Sequence, residues 1–426
     1  MIHSLLFFTN EYPYNRGDSC FIKYEIPFLS RIFNKIHIVP LNIGSDSKED
    51  ILDTPENVTV HIMKSNNKKL KKIILLFNLI FYSRLYAEIL LLIKTKKISL
   101  KTLYISISFL AEAVLIEKFS KKLLEKYKDI CLIYSYWYWY SAMAALFLKK
   151  SYVVKCVTRT HEYDLYEYKN YQPYKSWMDI KLDKIFFISK NGYDYYMNNF
   201  ALCGPEKYSL SYLGINNYYK NPVQNTYKSG NYKVLLSCAY ICPRKRIHLI
   251  AEALSEIENI NIHWIHIGNG IIENNIYLLA KKLLNKKSNI SYEFKGYMEN
   301  ENIMRFYSEN IIDCFISASE SEGLPVSMME AISFGIPVIA TNAGGVSEIV
   351  NDNTGILLNS EGNVREIRNA MEIVFSYSGN KKEELKYSSM KFWKENFNAE
   401  INYSKFTNEL LDTVNSKSFS QNNGIA

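Results

Sequence analysis

Twice along the chain, short apolar runs alternate with amphipathic helical patterns, and one polar, turn-rich stretch, NNYYKNPVQNTYKSGN (216–231), separates the two series. Strands that alternate with helices form βαβ units, and these build a mostly parallel sheet covered on both faces. In the first series the apolar runs are 3–9, NKIHIVPLN, the start of CLIYSYWYWYSAMAALFL, VVKCVTRT (153–160) and KIFFISK (184–190). Helical patterns fall at 20–33, 68–93 and 100–127. The second series has strands at 232–239, 262–268, 290–296, 313–319 and 336–341, with helices at 246–257, 272–285, 300–309 and 325–334. Two α/β domains follow, with a cleft between them. In such sheets ligands bind beyond the carboxyl ends of the strands.

A chain of 426 residues is long enough for two such cores, and 48% hydrophobic content excludes a disordered protein. Seven cysteines (20, 131, 156, 203, 238, 242, 314) form no C-x-x-C pair. They read as free thiols in a reducing compartment, with no zinc spacing. The N-terminal apolar run is too short for a signal peptide, and the most apolar stretch, 73–93, carries Arg84 and Glu88 at its middle, against a membrane span. The net charge of +8 is unevenly spread: between Lys64 and Lys128 stand fifteen Lys/Arg, four Glu and no Asp. Such a patch suits an anionic surface.

The strand-end rule directs attention to SESEGLPVSMMEAISFGIPVIATNAGG (319–345). Pro325 suits the first helical position and Gly323 admits a ligand close to the backbone. The helix start offers free amides and the positive end of a dipole, an anion site fitted to a diphosphate. Glu330 lies about 7.5 Å further along the helix axis at 1.5 Å per residue, placed to accept hydrogen bonds from vicinal hydroxyls. Glu322 precedes the turn, on the other side of the phosphates. On spacing alone the pair equally suits a helix cap and a surface carboxylate.

The wording EGLPVSMMEAISFGIPVIAT with its E-x7-E spacing, followed by NAGGVSEIV and NDNTGILL and preceded by HIGNG (266–270) and FKGYM (294–298), closely resembles the retaining glycosyltransferases of family four, of the capsular, O-antigen and exopolysaccharide type. The resemblance covers the second domain and, more weakly, the first. It implies a GT-B fold: two Rossmann-like domains facing each other across a cleft, with a C-terminal helix returning to the first. The expected division is an acceptor-binding domain at 1–215, a linker at 216–232, a nucleotide-sugar domain at 233–378, helices packing back across the domains at 379–417 and a disordered tail at 418–426.

The resemblance also assigns roles. Glu322 binds hydroxyls of the donor sugar, Gly323 and Leu324 offer backbone amides, and Glu330 holds the ribose. Gly296, Tyr297 and Met298 lie beside the base, and Gly268 shapes the nucleotide cleft. Lys245 takes the lysine position that neutralises the diphosphate. The usual arginine position falls on Ala239 or Tyr240, so Arg244 or Arg246 would substitute. His161, in TRTHEYDLYEY, faces the donor sugar as a neutral imidazole, while Arg159, Tyr163 and Asp164 border the acceptor. Arg16 and Gly17 belong to a loop that approaches the donor phosphates or the acceptor.

What is implied is a metal-independent hexosyltransferase acting on a glycan or lipid-linked acceptor, with no cofactor beyond its nucleotide-sugar donor and no nucleic acid partner. It would be cytoplasmic and peripheral on the inner membrane through the basic 64–128 region, where Lys68, Lys69, Lys71 and Lys72 border an apolar run. The alternatives are a nucleotide-sugar epimerase of the same fold and a non-catalytic nucleotide-sugar-binding protein.

Overall fold

The computed structural model describes residues 2–42, 51–63, 82–167, 171–219 and 232–416. Most of the 216–231 stretch, the lysines at 68–72 and the tail from 417 lie outside the described residues. The described chain forms two compact units. One comprises Met1–Ile188, Gly192–Ser211 and the chain from Tyr403; the other comprises Ser189–Asn191 and Tyr212–Asn402.

The first unit is built on a seven-stranded parallel sheet. Its strands are β1 (Ile2–Thr9), β2 (Phe33–Pro40), β3 (Val58–Val60), β4 (Ile130–Ser135), β5 (Lys155–Thr160), β6 (Lys184–Phe187) and β7 (Tyr208–Leu210), in spatial order β3-β2-β1-β4-β5-β6-β7. Side chains of successive residues point to opposite faces, and both faces are covered. Leu6 and Phe8 enter one core, with Val114, Met143 and Tyr196, while Leu5 and Phe7 enter another, with Ile22, Tyr134 and Phe406.

The second unit has a six-stranded parallel sheet: β8 (Lys233–Cys238), β9 (Ile262–Ile267), β10 (Ile290–Phe294), β11 (Cys314–Ser317), β12 (Val338–Thr341) and β13 (Gly355–Leu358), in order β10-β9-β8-β11-β12-β13. Trp264 is fully buried there, and its indole N–H donates to Ser237 Oγ at 2.9 Å, so the ring fills the core without an orphaned donor. All seven cysteines are free thiols.

In both sheets the strand order reverses once, between β1 and β4 and between β8 and β11. These switch points are where loops leaving the strand ends diverge and open a crevice. The chain then recrosses. The Gly379–Asn396 helix packs on the Val326–Ser333 helix of the second unit. The Ala399–Asn415 helix begins in the second unit and from Tyr403 belongs to the first. There Phe406 packs edge-on to Phe186, with ring centroids 4.8 Å apart, and Leu410 joins the same core. Among the described helices from residue 379 onward, only this last one returns.

Among the described residues no helix is long and apolar enough to cross a membrane.

Candidate functional site

At the switch point of the second sheet, the segment after β8 and the segment after β11 meet. The first carries Cys242-Pro-Arg-Lys-Arg246, whose middle forms a single 3-10 turn, Pro243–Lys245. The second runs from Ala318 to Pro325. Two backbone-directed bonds hold them together: Glu320 N–H donates to the Arg244 carbonyl at 2.9 Å, and Arg244 donates to the Ser321 carbonyl at 2.8 Å. The Lys245 ammonium and the Glu322 carboxylate form an ion pair across this junction, with side chains 16% and 11% exposed. A pair so shielded interacts far more strongly than a surface one, yet both groups keep one side open to solvent.

Arg246 behaves differently. Its φ of +45° turns the side chain back beneath the loops, where it donates to the carbonyls of Ala318 (2.7 Å), Ser319, Ser360 and Glu361. Expected at the diphosphate, it is instead spent on fastening three loop segments.

The Val326–Ser333 helix starts at the same junction. Pro325 is its N-cap, one position earlier than its sequence suggests, and no side chain caps the helix. Met328 N–H donates to the Pro325 carbonyl at 3.2 Å, and the Val326 and Ser327 N–H groups keep their capacity for an anion. Glu330, on the buried side of this helix, is 3% exposed and accepts a hydrogen bond of 2.5 Å from the Asn300 side-chain amide, which stands at the start of the Asn300–Glu309 helix. Cys238, at the end of β8, is close enough to feel the charges of Glu330 and Lys245. Burial, helped by Glu330, pushes its thiol up to about 12, so it is inert packing.

The glycines of the site answer to close backbone approaches. Gly344 has φ +58°, and a Cβ there would stand 1.8 Å from the Glu322 carbonyl oxygen; at Gly345 it would stand 2.3 Å from the Gly323 carbonyl. Gly345 N–H donates to that same Gly323 carbonyl at 3.0 Å. The Asn-Ala-Gly-Gly segment is thus a brace pressed against the loop that carries Glu322. Gly268, at φ +137°, sits under the Ala239 carbonyl, and its N–H donates to Gly296 at 2.8 Å. That contact ties the end of β9 to the segment after β10, where Tyr297 is 60% exposed and Met298 follows. Leu324 is buried. Lys245, Glu322, Gly323, Leu324 and Glu330 thus gather at one switch point, with Gly268, Gly296, Tyr297 and Met298 at the neighbouring strand ends.

In the first unit, His161 follows β5 and is 4% exposed. Its ring lies 4.4 Å from that of Trp137 and 4.7 Å from that of Tyr136, between centroids. It hydrogen-bonds the Tyr136 backbone, and Nε2 is buried with no hydrogen-bond partner among the described residues. Burial and then the nearby Arg159 charge push its pKa down to about 3, so the imidazole is neutral at physiological pH. Asp164 accepts from the His161 backbone at 2.6 Å and from the Tyr138 backbone at 2.7 Å, fixing the turn; burial pushes it up to about 7.

Arg159, expected at the acceptor, is fully buried in β5. It pairs with the equally buried Glu25 at 3.2 Å and stacks 4.1 Å above the Phe406 ring. Its role is architectural, anchoring the returning C-terminal helix. Tyr163 is 45% exposed.

The loop after β1 is organised by Asp18, which accepts backbone N–H bonds from Asn10, Glu11 and Tyr12 at 2.6–2.9 Å and one from the Trp137 indole at 3.2 Å. Gly17 has φ +56° and sits against Glu11, while Arg16 faces Glu11 at 3.8 Å. Sequence reasoning missed both Asp18 and Asn300. Asp18 stands one residue before the Ser19–Ile32 helix, an N-cap position that its residue type flags.

Among the described residues no cluster of three or more His, Cys, Asp or Glu could hold a metal ion.

Two parallel-sheet Rossmann-like units joined in this order, with the last helix returning to the first, define the GT-B fold of glycosyltransferases. Sucrose-phosphate synthase from Thermosynechococcus elongatus superposes with a TM-score of 0.72 at 13% identity, over 96% of this chain and 98% of that one. Anabaena HepE, solved with UDP and glucose, gives 0.64 at 14%, over 96% and 99%. Residues 222–392 match the family described as glycosyl transferases group 1.

Among curated relatives, the O-antigen biosynthesis glycosyltransferase WclY of Escherichia coli is 31% identical over 211 residues, 46% of this chain and 56% of the relative. WbnH of Escherichia coli, described in the same words, is 27% identical over 223 residues, 52% and 60%. The similarity thus spans little more than half the length of either relative.

Proposed function

We propose that this chain is a glycosyltransferase of surface-polysaccharide synthesis, moving a hexose-type sugar from a nucleotide-diphosphate donor to a hydroxyl of a glycan or lipid-linked acceptor, with retention at the anomeric carbon and without a metal ion. One observation carries the reading: a lysine and a glutamate are paired at the switch point of a Rossmann-like sheet, beside an uncapped helix start with a second, buried glutamate on the same helix. The relatives named for O-antigen biosynthesis support the pathway, and the neighbour solved with UDP and glucose makes a UDP-sugar the first donor to test.

In this reading the diphosphate lies at the helix start, its charge met by Lys245 and first-turn amides. Glu330 takes the ribose hydroxyls and Glu322 the sugar hydroxyls. His161, neutral, donates or accepts a hydrogen bond at the sugar without a charge change. The acceptor oxygen bonds to the anomeric carbon on the face that the diphosphate leaves. The carbon–oxygen bond to the diphosphate breaks, and the acceptor proton passes to a departing phosphate oxygen. The glutamates bind and orient, so no protein nucleophile is consumed. The protein works at the cytoplasmic face of a membrane as a peripheral enzyme.

The test is transfer from a panel of nucleotide-diphosphate sugars to lipid-linked and soluble acceptors, with chelator present and the product anomer read by NMR. Retained configuration in chelator supports the reading. Inversion or chelator-sensitive turnover overturns those two parts of it. Sugar interconversion without any acceptor overturns transfer in favour of epimerisation.

A further inference from the structure

We infer that the tip of the helical hairpin Ser83–Lys94 and Leu100–Lys126 is a docking surface for an anionic lipid bilayer. This rests on the reading that the acceptor is presented at a membrane, and it names the part of the chain that touches the lipid.

The Ser83–Lys94 helix has two apolar faces. Leu85 and Leu92, seven residues apart, are buried. Tyr86, Leu90 and Ile93 follow one another at helical spacing on another face and are 53%, 65% and 53% exposed. A helix that packs one apolar face and offers a second to water has an unmet partner there. The exposed face runs on through the turn. Every residue from Ile93 to Lys101 is exposed, Ile98 by 45% and Leu100 by 89%, and Tyr104, one turn after Leu100, by 70%. The second helix is rigidly begun here: Ser99 caps it, with its side chain and that of Thr102 exchanging bonds with each other's backbone. The apolar tip is therefore a fixed shape.

Charge selects the occupant. Lys94, Lys96, Lys97 and Lys101 are set among these apolar side chains, and no Asp or Glu occurs between Glu88 and Glu112. Lys97 pairs with Glu167 at 2.8 Å while remaining about half exposed. Exposed lysines interspersed with exposed Leu and Ile side chains match a layer with anionic headgroups above hydrocarbon. Across a two-fold axis the same lysines would face each other and repel, which disfavours a second copy of this chain. Nucleic acid would satisfy the lysines and leave Leu90, Ile93 and Leu100 against phosphate.

The experiment is co-sedimentation of the full chain with vesicles of phosphatidylcholine alone or with one-third phosphatidylglycerol. It is run on wild type, Leu100→Glu, Ile93→Glu and the milder Leu100→Ser, alongside transfer to a water-soluble acceptor and sedimentation velocity. Wild type is expected to partition onto the acidic vesicles at least about tenfold better than onto neutral ones, and to be released by salt. Each glutamate variant is expected to lose at least about tenfold in partitioning, Leu100→Ser somewhat less, with soluble-acceptor turnover unchanged.

Vesicle binding that is absent, or insensitive to these substitutions, overturns the inference, as does a dimer that Leu100→Glu dissociates. Binding without any sugar transfer sinks the proposed function and leaves the docking surface standing; transfer without binding does the reverse.

Discussion

Lys245 and Glu322, 77 residues apart in sequence, are joined as an ion pair at the switch point of the second sheet. Each is the other's counter-ion. In the proposed function an incoming diphosphate competes with Glu322 for the ammonium, and the freed carboxylate takes the sugar hydroxyls. Lys245→Ala removes the cation proposed to meet leaving-group charge, so kcat/KM is expected to fall by about 10²–10³-fold. Lys245→Arg should recover part of that loss. Steady-state transfer kinetics measure both, with the melting temperature as the control for folding.

The bond from Asn300 to Glu330 holds the buried carboxylate in one orientation. Asn300→Ala leaves Glu330 without that donor, and nucleoside diphosphate affinity is expected to weaken by about tenfold, the worth of one charge-assisted hydrogen bond. Asn300→Asp sets two carboxyls side by side and should weaken it further. Calorimetric titration reads the two dissociation constants, and kcat at saturating donor should change far less than KM.

Gly344 tests the brace. Its positive φ and the 1.8 Å approach of a new Cβ to the Glu322 carbonyl leave no room for a methyl group. Gly344→Ala should cost about 1–3 kcal/mol of stability and lower transfer well beyond what that loss explains, because the displaced loop carries Glu322. Chemical denaturation and kinetics on the same preparation separate the two effects.

His161 makes stability depend on pH with a definite sign. Its folded pKa of about 3 lies below the ordinary 6.5, so between those values the unfolded chain binds the extra proton and folding weakens as pH falls. Asp164, raised from 3.8 to about 7, acts in the opposite direction over much of the same window. A difference measurement isolates the histidine. From pH 7.5 to 5, wild type should lose about 1–2 kcal/mol of stability relative to His161→Asn, measured by urea unfolding. The kcat profile between pH 6 and 8 should show no step from this imidazole.

Much of the architecture was legible because parallel strands buried on both faces are written as near-continuous apolar runs. β8, β9, β11 and β12 sit within the stretches their composition marks. The E-x7-E segment was legible because both glutamates belong to one turn-helix unit whose geometry is local. The pairing of Lys245 with Glu322 was not, since it depends on which two strands become neighbours at the reversal of sheet order. Asn300 was hidden for the same reason. Arg159 misled because it stands in a polar-looking TRTHEYD segment, whereas strand alternation turns it inward to Glu25. Arg246 looked like a phosphate ligand by residue type; its left-handed backbone turns it to carbonyls instead.

The most direct test of the donor-site assignment is sugar transfer by Glu322→Ala, measured against wild type with the preferred nucleotide-diphosphate sugar, with the thermal midpoint recorded for both. Turnover is expected to be lower by at least about 100-fold in a protein that melts within a few degrees of wild type. Turnover at the wild-type rate would contradict it, because the carboxylate at the heart of the proposed site would then have no part in the reaction.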